Sequence, residues 1–261
     1  MAKREFIEYF GKRTKSFPDG NKLTRENLVS KENKGKGLNM WYKDDALQDH
    51  LDEIAKPFIE NALLSYDINM RYFAQLKESE FRRAVSQIVK EFNMERIYNL
   101  KNFNERAGIY MIVLGEYKSF YIGQSNDISK RISSHWSRSM EVWRLVFGPV
   151  TESILSIDAF RAHDTTEIYF MPYFILYGSL LDMEEIVTAY VMRKKLGKFM
   201  INRLMGGNTN VDFQFRGDER NRLQIVVTDD DRQKAREIMK MFEELDEYHK
   251  SREEIWGEMM S

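Results

Sequence analysis

The sequence predicts an α/β (α+β) fold in which a small antiparallel sheet packs against helices. Apolar residues in 108–123 recur at every second position, which is the period of β-strands. In 47–63, 78–95 and 180–196 they recur every three to five positions, as they do along one face of a helix. With 43% hydrophobic and 31% charged residues, the composition is that of a globular protein, which excludes a wholly disordered chain.

The composition also excludes several kinds of site. The chain has no cysteine, so it forms no disulfide, thiolate zinc site or cysteine nucleophile. It has no apolar run long enough to span a bilayer and no signal-peptide pattern, and we expect a cytoplasmic protein that does not contact membranes. A net charge of −1 argues against a general polyanion binder, although 1–43 and 193–222 contain more basic than acidic residues.

The N-terminal region combines a loop with helices. Residues 11–40 are rich in Gly, Asn and Lys and have little apolar periodicity, which predicts a loop or a basic arm. The apolar stripe in 47–63 predicts a helix that Pro57 bends. A second stripe predicts a helix over 78–95, and both stripes are typical of core packing.

The middle of the chain predicts a β-hairpin, because two alternating apolar segments flank the turn sequence GEYK. The apolar residues of both segments share one face only if Val113 lies opposite Phe120 and Met111 opposite Ile122. That register leaves 115–118 as a four-residue turn.

The other face of this hairpin carries the polar groups of interest. It holds Tyr110 and Tyr121, and it sets Tyr110 across from Gly123, where the backbone has no side chain. In the helix that follows, Arg131 and His135 are four residues apart and share a face. Arginine suits a phosphate and imidazole can hold or transfer a proton, so these groups provide the parts for phosphodiester chemistry once a metal is supplied.

The later elements alternate between the periods of helices and strands. Capping residues at 125–127 begin a helix that runs to about Ser139, and a further helix is predicted over 141–147. Residues 166–176 are strongly β-prone, and 180–196 form an amphipathic helix.

The C-terminal region predicts a strand and a long helix. The strand covers 223–227 and the helix covers about 229–250, with Thr228 and Asp231 as its capping box. This helix lacks the heptads of a coiled coil, so we expect it to pack on its own chain.

The residues quoted above resemble the GIY-YIG nuclease family. Residues 108–110 and 121–123 are its two triplets, and the resemblance extends over about 106–208 through the arginine, the histidine, a later acidic helix and an asparagine. It implies a three-stranded antiparallel sheet flanked by helices, and an endonuclease that hydrolyses DNA phosphodiester bonds with one divalent ion, Mg²⁺ or Mn²⁺. We therefore expect a nuclease domain over 106–208 between a basic arm and helical region, 1–105, and a C-terminal strand and helix extension, 209–261. On the endonuclease hypothesis the two flanking regions choose the target.

The resemblance also implies roles for single residues. Tyr110 would activate or position the attacking water, and Tyr121 would orient the water or the scissile phosphate. Because a free phenol has a pKa near ~10, donating a hydrogen bond is the less demanding role for Tyr110. Arg131 would neutralise phosphate charge, and His135 matches a position that is histidine in some members and tyrosine in others. Three further positions match structural residues of the family: Gly108, Gly123 and Asn202.

The resemblance implies that one glutamate of the later helix binds the metal. Glu184 and Glu185 are both candidates, and they point about 100° apart on a helix, so only one can face the tyrosines. Family members have apolar residues three and seven positions after the glutamate, which favours Glu184 because Val187 and Val191 occupy those positions. One departure is that 124–129 contain no lysine, where some members have one.

Two functional hypotheses follow. The first is a metal-dependent endonuclease that cuts double-stranded DNA, of restriction, homing or repair type. The second is a catalytically inactive nucleic-acid-binding or assembly protein on the same scaffold. Convergence of the tyrosines, the arginine and one glutamate on an open cleft would favour the first hypothesis, and a cleft blocked by the N-terminal helices would favour the second or an autoinhibited enzyme. The sequence indicates neither the target nor the oligomeric state.

Overall fold

The computed structural model describes residues 6–15, 22–29, 48–136, 145–147, 151, 154–202 and 222–260 of the chain. Helices and antiparallel sheets combine within these ranges, which confirms the predicted α/β class. No helix in the described part of the chain is both long and apolar enough to cross a membrane.

The elements are numbered in chain order. The strands are β1 (Phe6–Tyr9), β2 (Lys12–Lys15), β3 (Glu95–Arg96), β4 (Gly108–Leu114), β5 (Ser119–Ser125), β6 (Val146–Phe147), β7 (Ile154–Leu155) and β8 (Glu167–Pro172). The α-helices are α1 (Arg25–Leu28), α2 (Gln48–Gln75), α3 (Glu78–Glu91), α4 (Ile128–His135), α5 (Leu180–Arg193) and α6 (Asp229–Met260).

The hairpin of β4 and β5 has the predicted register. Val113 pairs with Phe120, Met111 pairs with Ile122, and 115–118 connect the two strands. The antiparallel sheet has the order β3-β8-β4-β5, so β4 lies inside it and β5 lies at one edge. Burial of one apolar face was enough to fix this register, because a shift by one residue would turn every side chain to the other face.

The predicted strand at 166–176 is present but shorter. It forms β8, which pairs with β4 and ends at Pro172, and Ile175–Tyr177 form a 3-10 turn instead of further strand. Strands β8, β4 and β5 are the three antiparallel strands that the family resemblance implies. The fourth strand, β3, has two residues, which is too short to produce a period in the sequence.

Both faces of β4 are covered, and all 7 of its residues are buried. One face contributes to a core with α3 and α5, and the other contributes to a core with α2, α4 and α6. A strand covered on both faces has a continuous apolar sequence, as GIYMIVL does. The second core draws residues from all three segments that the sequence distinguishes, for example Ile68, Ile132 and Ile238.

The predicted strand at 223–227 is wrong. Arg222–Ile225 form a 3-10 turn, and the amides of Val226 and Val227 donate to the Leu223 carbonyl at 2.9 and 3.2 Å. Leu223 and Val226 are buried, so these β-prone side chains fill the core from a turn instead of from a sheet.

The predicted helix at 141–147 is wrong where the structure describes it. Val146–Phe147 form β6, which pairs with β7, and the Ser156 amide donates to the Leu145 carbonyl at 2.8 Å. Residues 141–144 lie outside the described residues. The strand is set by a partner farther along the chain, and a two-residue strand has no period of its own.

The predicted loop or arm at 11–40 is wrong in two places. Lys12–Lys15 pair with β1 in a hairpin, and Arg25–Leu28 form α1 with Thr24 as its N-cap. The sequence did not predict this hairpin because its first strand, β1, lies before the segment 11–40. Residues 16–21 and 30–40 lie outside the described residues.

Three of the predicted helices lie where expected, with shifted ends. Pro57 lies inside α2, and the predicted first residue Leu47 is outside the described residues. α3 ends at Glu91, not near 95, because Asn93 takes a left-handed conformation with φ 46°. α5 ends at Arg193 for the same reason, since φ is 57° at Lys195.

Helix α6 continues beyond its predicted end at 250. Its capping box is present, since the Asp231 amide donates to Thr228 Oγ1 at 3.2 Å and the Thr228 amide donates to Asp231 Oδ2 at 2.7 Å. Phe242 packs edge-on against Phe58 of α2, with ring centroids 4.9 Å apart. This contact confirms that the helix packs on its own chain.

Candidate active site

The two tyrosines of the triplets lie side by side on one face of the hairpin. Tyr110 comes from β4 and Tyr121 from β5, and their ring centroids are 6.0 Å apart. Tyr110 pairs with Gly123 across the strands, as predicted. A Cβ atom at Gly123 would lie 2.5 Å from Tyr110 Oη and 2.7 Å from Tyr121 Cε1. The space beside the Gly123 backbone is therefore filled by the tyrosine rings themselves.

His135 contacts both tyrosines from the end of α4. Its Nε2 atom lies 2.7 Å from the Tyr110 hydroxyl, and its ring stands at 69° to the Tyr121 ring with centroids 5.3 Å apart. The sequence predicts α4 to about Ser139, and residues 137–140 lie outside the described residues. His135 is also buried. Its contact with Tyr110 joins the histidine of the motif to the first tyrosine of the motif.

Asp158 completes this arrangement, although no motif in the sequence points to it. Its Oδ1 atom lies 2.7 Å from His135 Nδ1. The aspartate belongs to a 3-10 turn, Ile157–Ala159, in which Ser156 Oγ accepts from the Asp158 amide at 3.2 Å. A serine two residues before an aspartate signals a turn, but no period connects that turn to His135.

Arg131 lies one helical turn before His135 and is exposed to solvent. Its positive charge lowers the pKa of both tyrosines. Burial lowers the pKa of the guanidinium, but Tyr110, Tyr121 and Asp158 raise it more, so that its pKa lies above the ordinary value. The guanidinium is thus a fixed positive charge at the solvent side of the tyrosine pair.

The tyrosines themselves are held in the neutral form. Burial, followed by the electrostatic effect of Tyr121, raises the pKa of Tyr110 well above its ordinary value, and Arg131 offsets only part of this rise. Burial also raises the pKa of Tyr121, with Glu184 next in size. Neither residue is a phenolate at neutral pH, so Tyr110 has a proton to donate to His135.

Of the two candidate glutamates, Glu184 is the one whose charge acts on both tyrosines. It lies in the second turn of α5, and Val187 and Val191 are buried, as its spacing requires. Burial raises the pKa of Glu184 to about 7, against a lowering effect of Arg131 and with a smaller raising effect of Glu185.

Glu184 also fits the divalent ion that the resemblance implies. A positive ion beside a partly buried carboxylate with a raised pKa would offset the cost of its ionisation. In the described part of the chain, no three His, Asp or Glu residues are grouped to hold a metal ion. A single carboxylate is the kind of donor used by an ion such as Mg²⁺, which keeps several waters and takes other ligands from a substrate phosphate.

Asn202 and Gly108 support the strands that carry the tyrosines. The Asn202 amide accepts from the Ile122 amide at 2.9 Å and donates to the Ile122 carbonyl at 2.5 Å, which covers the outer edge of β5. A Cβ atom at Gly108 would lie 2.2 Å from the Met171 carbonyl oxygen of β8. Both positions hold local structure.

The site opens to solvent on the side of Arg131. Arg131 is exposed, Tyr121 and Glu184 are partly exposed, and Tyr110 and His135 are buried behind them. Ring contacts and a hydrogen bond connect Tyr110, Tyr121 and His135, and the charges of Arg131 and Glu184 act on both tyrosines. Asp158 joins this group through His135. Comparison with known proteins adds no family to this picture, since no family model, no curated protein and no solved structure matches the chain.

Proposed function

We propose that the protein is a metal-dependent endonuclease of the GIY-YIG type that hydrolyses phosphodiester bonds in double-stranded DNA. One observation carries the proposal. Tyr110, Tyr121, Arg131 and Glu184 come from four separate elements, yet the two tyrosine rings are 6.0 Å apart, and Arg131 and Glu184 both shift the pKa of the tyrosines. A cation for the phosphate, a carboxylate for a metal ion and phenols for the water are thereby within mutual electrostatic range.

Arg131 is the residue that binds the scissile phosphate. Its guanidinium is exposed and charged, and it offers several donors in a fixed plane that matches two phosphate oxygens. The negative charge on those oxygens increases as the phosphoryl group is transferred, so a fixed cation stabilises the transition state more than the bound substrate.

The tyrosines and His135 orient the attacking water and accept its proton. Tyr121 is partly exposed and orients the water by a hydrogen bond, whereas Tyr110 lies between the water side and His135. Because Tyr110 is neutral, it can receive a proton from the water only if it passes its own proton to His135 Nε2 at 2.7 Å.

Glu184 holds the divalent ion, Mg²⁺ or Mn²⁺, through its carboxylate. When bound, such an ion neutralises charge on the phosphate and makes a neighbouring water more acidic. Glu184 must be ionised for this role, and its raised pKa of about 7 means that protons compete with the ion at neutral pH.

A second candidate is a nucleic-acid-binding protein without turnover. The observation that favours it is the complete burial of Tyr110, whose hydroxyl is already bonded to His135. In that case Arg131 would still bind phosphate, but no water would reach the phenol.

The two candidates differ in a plasmid-cleavage assay. Wild-type protein is incubated with supercoiled plasmid and phage DNA in Mg²⁺ or Mn²⁺, and nicked and linear products are followed. We expect cutting by the wild type, a loss of about 100-fold or more in Arg131→Ala and Glu184→Gln, and a loss of similar size in Tyr110→Phe. Glu185→Gln is the matched control and keeps its activity, because Glu184 supplies the carboxylate.

Equal cutting by the wild type and Glu184→Gln would contradict the nuclease proposal. DNA binding without any cutting would support the second candidate. Where cutting occurs, sequencing the cut ends of a defined genome library shows whether the cuts share a sequence, as restriction or homing enzymes require, or follow distorted duplexes, as in repair.

A further inference from the structure

A buried chain of hydrogen bonds runs from Tyr110 through His135 to Asp158. The two distances along it, Tyr110 Oη to His135 Nε2 and His135 Nδ1 to Asp158 Oδ1, are both 2.7 Å. The exposed fractions of the three residues are 0%, 1% and 7%. Bonds of this length between buried groups fix both the position and the proton of each partner.

With a neutral imidazole and an ionised Asp158, one arrangement of protons satisfies all three hydrogen-bonded groups. A carboxylate only accepts, so Asp158 requires a proton on His135 Nδ1. A neutral imidazole then has a lone pair on Nε2, which accepts from the Tyr110 hydroxyl. The other tautomer would set the Nδ1 lone pair against the carboxylate, and two acceptors 2.7 Å apart repel each other.

The backbone holds Asp158 in place. Its amide bonds Ser156 Oγ, and the Ser156 amide donates to the Leu145 carbonyl beside β6 at 2.8 Å. The Ala159 amide donates to the Ser156 carbonyl at 2.9 Å. These bonds tie the turn to the β6–β7 hairpin, so the carboxylate is positioned before substrate arrives.

We propose that Asp158 is a positioning residue of the hydrolytic site, which keeps His135 in the Nδ1-protonated tautomer so that Nε2 can accept the Tyr110 proton. The activity of this relay rests on the proposed nuclease function. Tyr121, Arg131 and Glu184 act electrostatically on Tyr110, and Asp158 acts on Arg131. A proton that reaches His135 would add a second positive charge beside Arg131. The negative Asp158 is the group that compensates for it.

In the hydrolytic step, each proton that leaves one group is accepted by another. The water oxygen forms a bond to phosphorus, one water proton moves to Tyr110 Oη, and the Tyr110 proton moves to His135 Nε2. The bond from phosphorus to the leaving oxygen breaks with its electron pair on that oxygen. The imidazolium stays paired with Asp158 until its proton returns through Tyr110 to the leaving group or to solvent.

The first test reads the tautomer directly. In ¹⁵N-labelled full-length protein, correlation spectra of the four histidines identify which ring nitrogen carries the proton, and His135→Gln assigns the signals of His135. We expect the Nδ1-protonated form in the wild type and a loss of this preference in Asp158→Ala, which has no oxygen to accept from Nδ1. An unchanged preference for the Nδ1-protonated form in Asp158→Ala would overturn the proposal.

The second test reads catalysis. With saturating Mg²⁺ and a defined duplex, we expect Asp158→Asn to lower kcat by about 100-fold or more, with KM for the duplex unchanged. Asp230→Asn, which removes an exposed carboxylate that pairs with Lys234 in α6, is the control and should leave kcat unchanged. Equal kcat in the wild type and Asp158→Asn would overturn the proposal. If the wild type cuts no DNA, the proposed function fails, and the tautomer test still decides whether Asp158 positions His135.

Discussion

Gly123 and the Tyr110 ring occupy one space, because the ring lies where a side chain at position 123 would stand. A Cβ atom there would be 2.5 Å from Tyr110 Oη and 2.6 Å from Tyr110 Cζ. Real Cβ atoms do not approach other atoms so closely. The rings of Tyr110 and Tyr121 both pack against buried neighbours. Gly123, which ends the second triplet, therefore sets the position of Tyr110, which ends the first.

Gly123→Ala should destabilise the protein and break the bond between Tyr110 and His135. The added methyl group forces the Tyr110 ring to move in a packed core, which costs about 1 to 3 kcal/mol. Urea denaturation measures this loss. Gln124→Ala, on the same strand, is the control and should change stability by less than about 1 kcal/mol. If both variants unfold at the same urea concentration as the wild type, the rings do not fill this space.

Asn202→Ala should weaken the outer edge of β5. Two hydrogen bonds to Ile122 are lost, and the Ile122 amide and carbonyl remain without that partner, which costs about 1 to 3 kcal/mol. Hydrogen exchange of the Ile122 amide should become faster by a factor of ten or more. Asn126→Ala removes an exposed amide instead and should leave this exchange rate unchanged. Slow exchange of Ile122 in Asn202→Ala would contradict the proposed support.

The hairpin and four candidate site residues, Tyr110, Tyr121, Arg131 and His135, could be predicted because they lie close together in the sequence. One strand period fixed the register of β4 and β5, and one helical turn related Arg131 to His135. Val187 and Val191 favoured Glu184 over Glu185, because a buried helix face constrains the residues three and four positions away.

The rest depended on contacts between distant segments. Asp158 reaches His135 through an irregular turn, and a turn has no period that would connect it to a helix 23 residues earlier. Strands β3, β6 and β7 have two residues each, so only their partners define them. Residues 223–227 have strand propensity but fill the core as a turn, since side-chain burial decides more than propensity does.

Glu184→Gln should raise the stability of the metal-free protein above neutral pH. The pKa of Glu184 is about 7 in the folded protein against an ordinary 4.5, so the folded state binds the proton more tightly than the unfolded state. Ionisation therefore lowers the stability of the wild type as pH rises from about 4.5 to 7. The neutral glutamine avoids this loss, and its advantage above pH 7 should reach roughly 2 kcal/mol.

Denaturation curves of the wild type and Glu184→Gln between pH 4.5 and 8 test this prediction. Their free energies of unfolding should be similar at the acid end and should separate as pH rises. Adding Mn²⁺ at pH 8 should reduce the separation, because the ion stabilises the ionised wild type only. A constant difference at every pH would mean that burial does not shift the Glu184 carboxyl.

Asp231→Ala should detach the first turn of α6 from α2. Asp231 is buried, accepts from the Thr228 amide and hydroxyl at 2.7 Å, and pairs with Arg71 of α2 at 2.5 Å. Loss of the cap and of a partly buried ion pair costs about 2 to 4 kcal/mol. Asp230→Ala is the control, since Asp230 is exposed and forms only a surface pair with Lys234.

The contribution of Asp231 to the free energy of unfolding increases with pH, whereas that of Glu184 decreases with pH. Burial raises the pKa of Asp231, but hydrogen bonds from Arg71 and Thr228 outweigh it and lower the pKa below its ordinary 3.8. The stabilisation is complete above the ordinary value and disappears as pH falls through the folded pKa. The difference between the wild type and Asp231→Ala should therefore be constant from pH 7 to about 5 and shrink below pH 3.8, as measured by urea denaturation. A difference that persists at low pH would assign the effect to packing of the side chain and not to its charge.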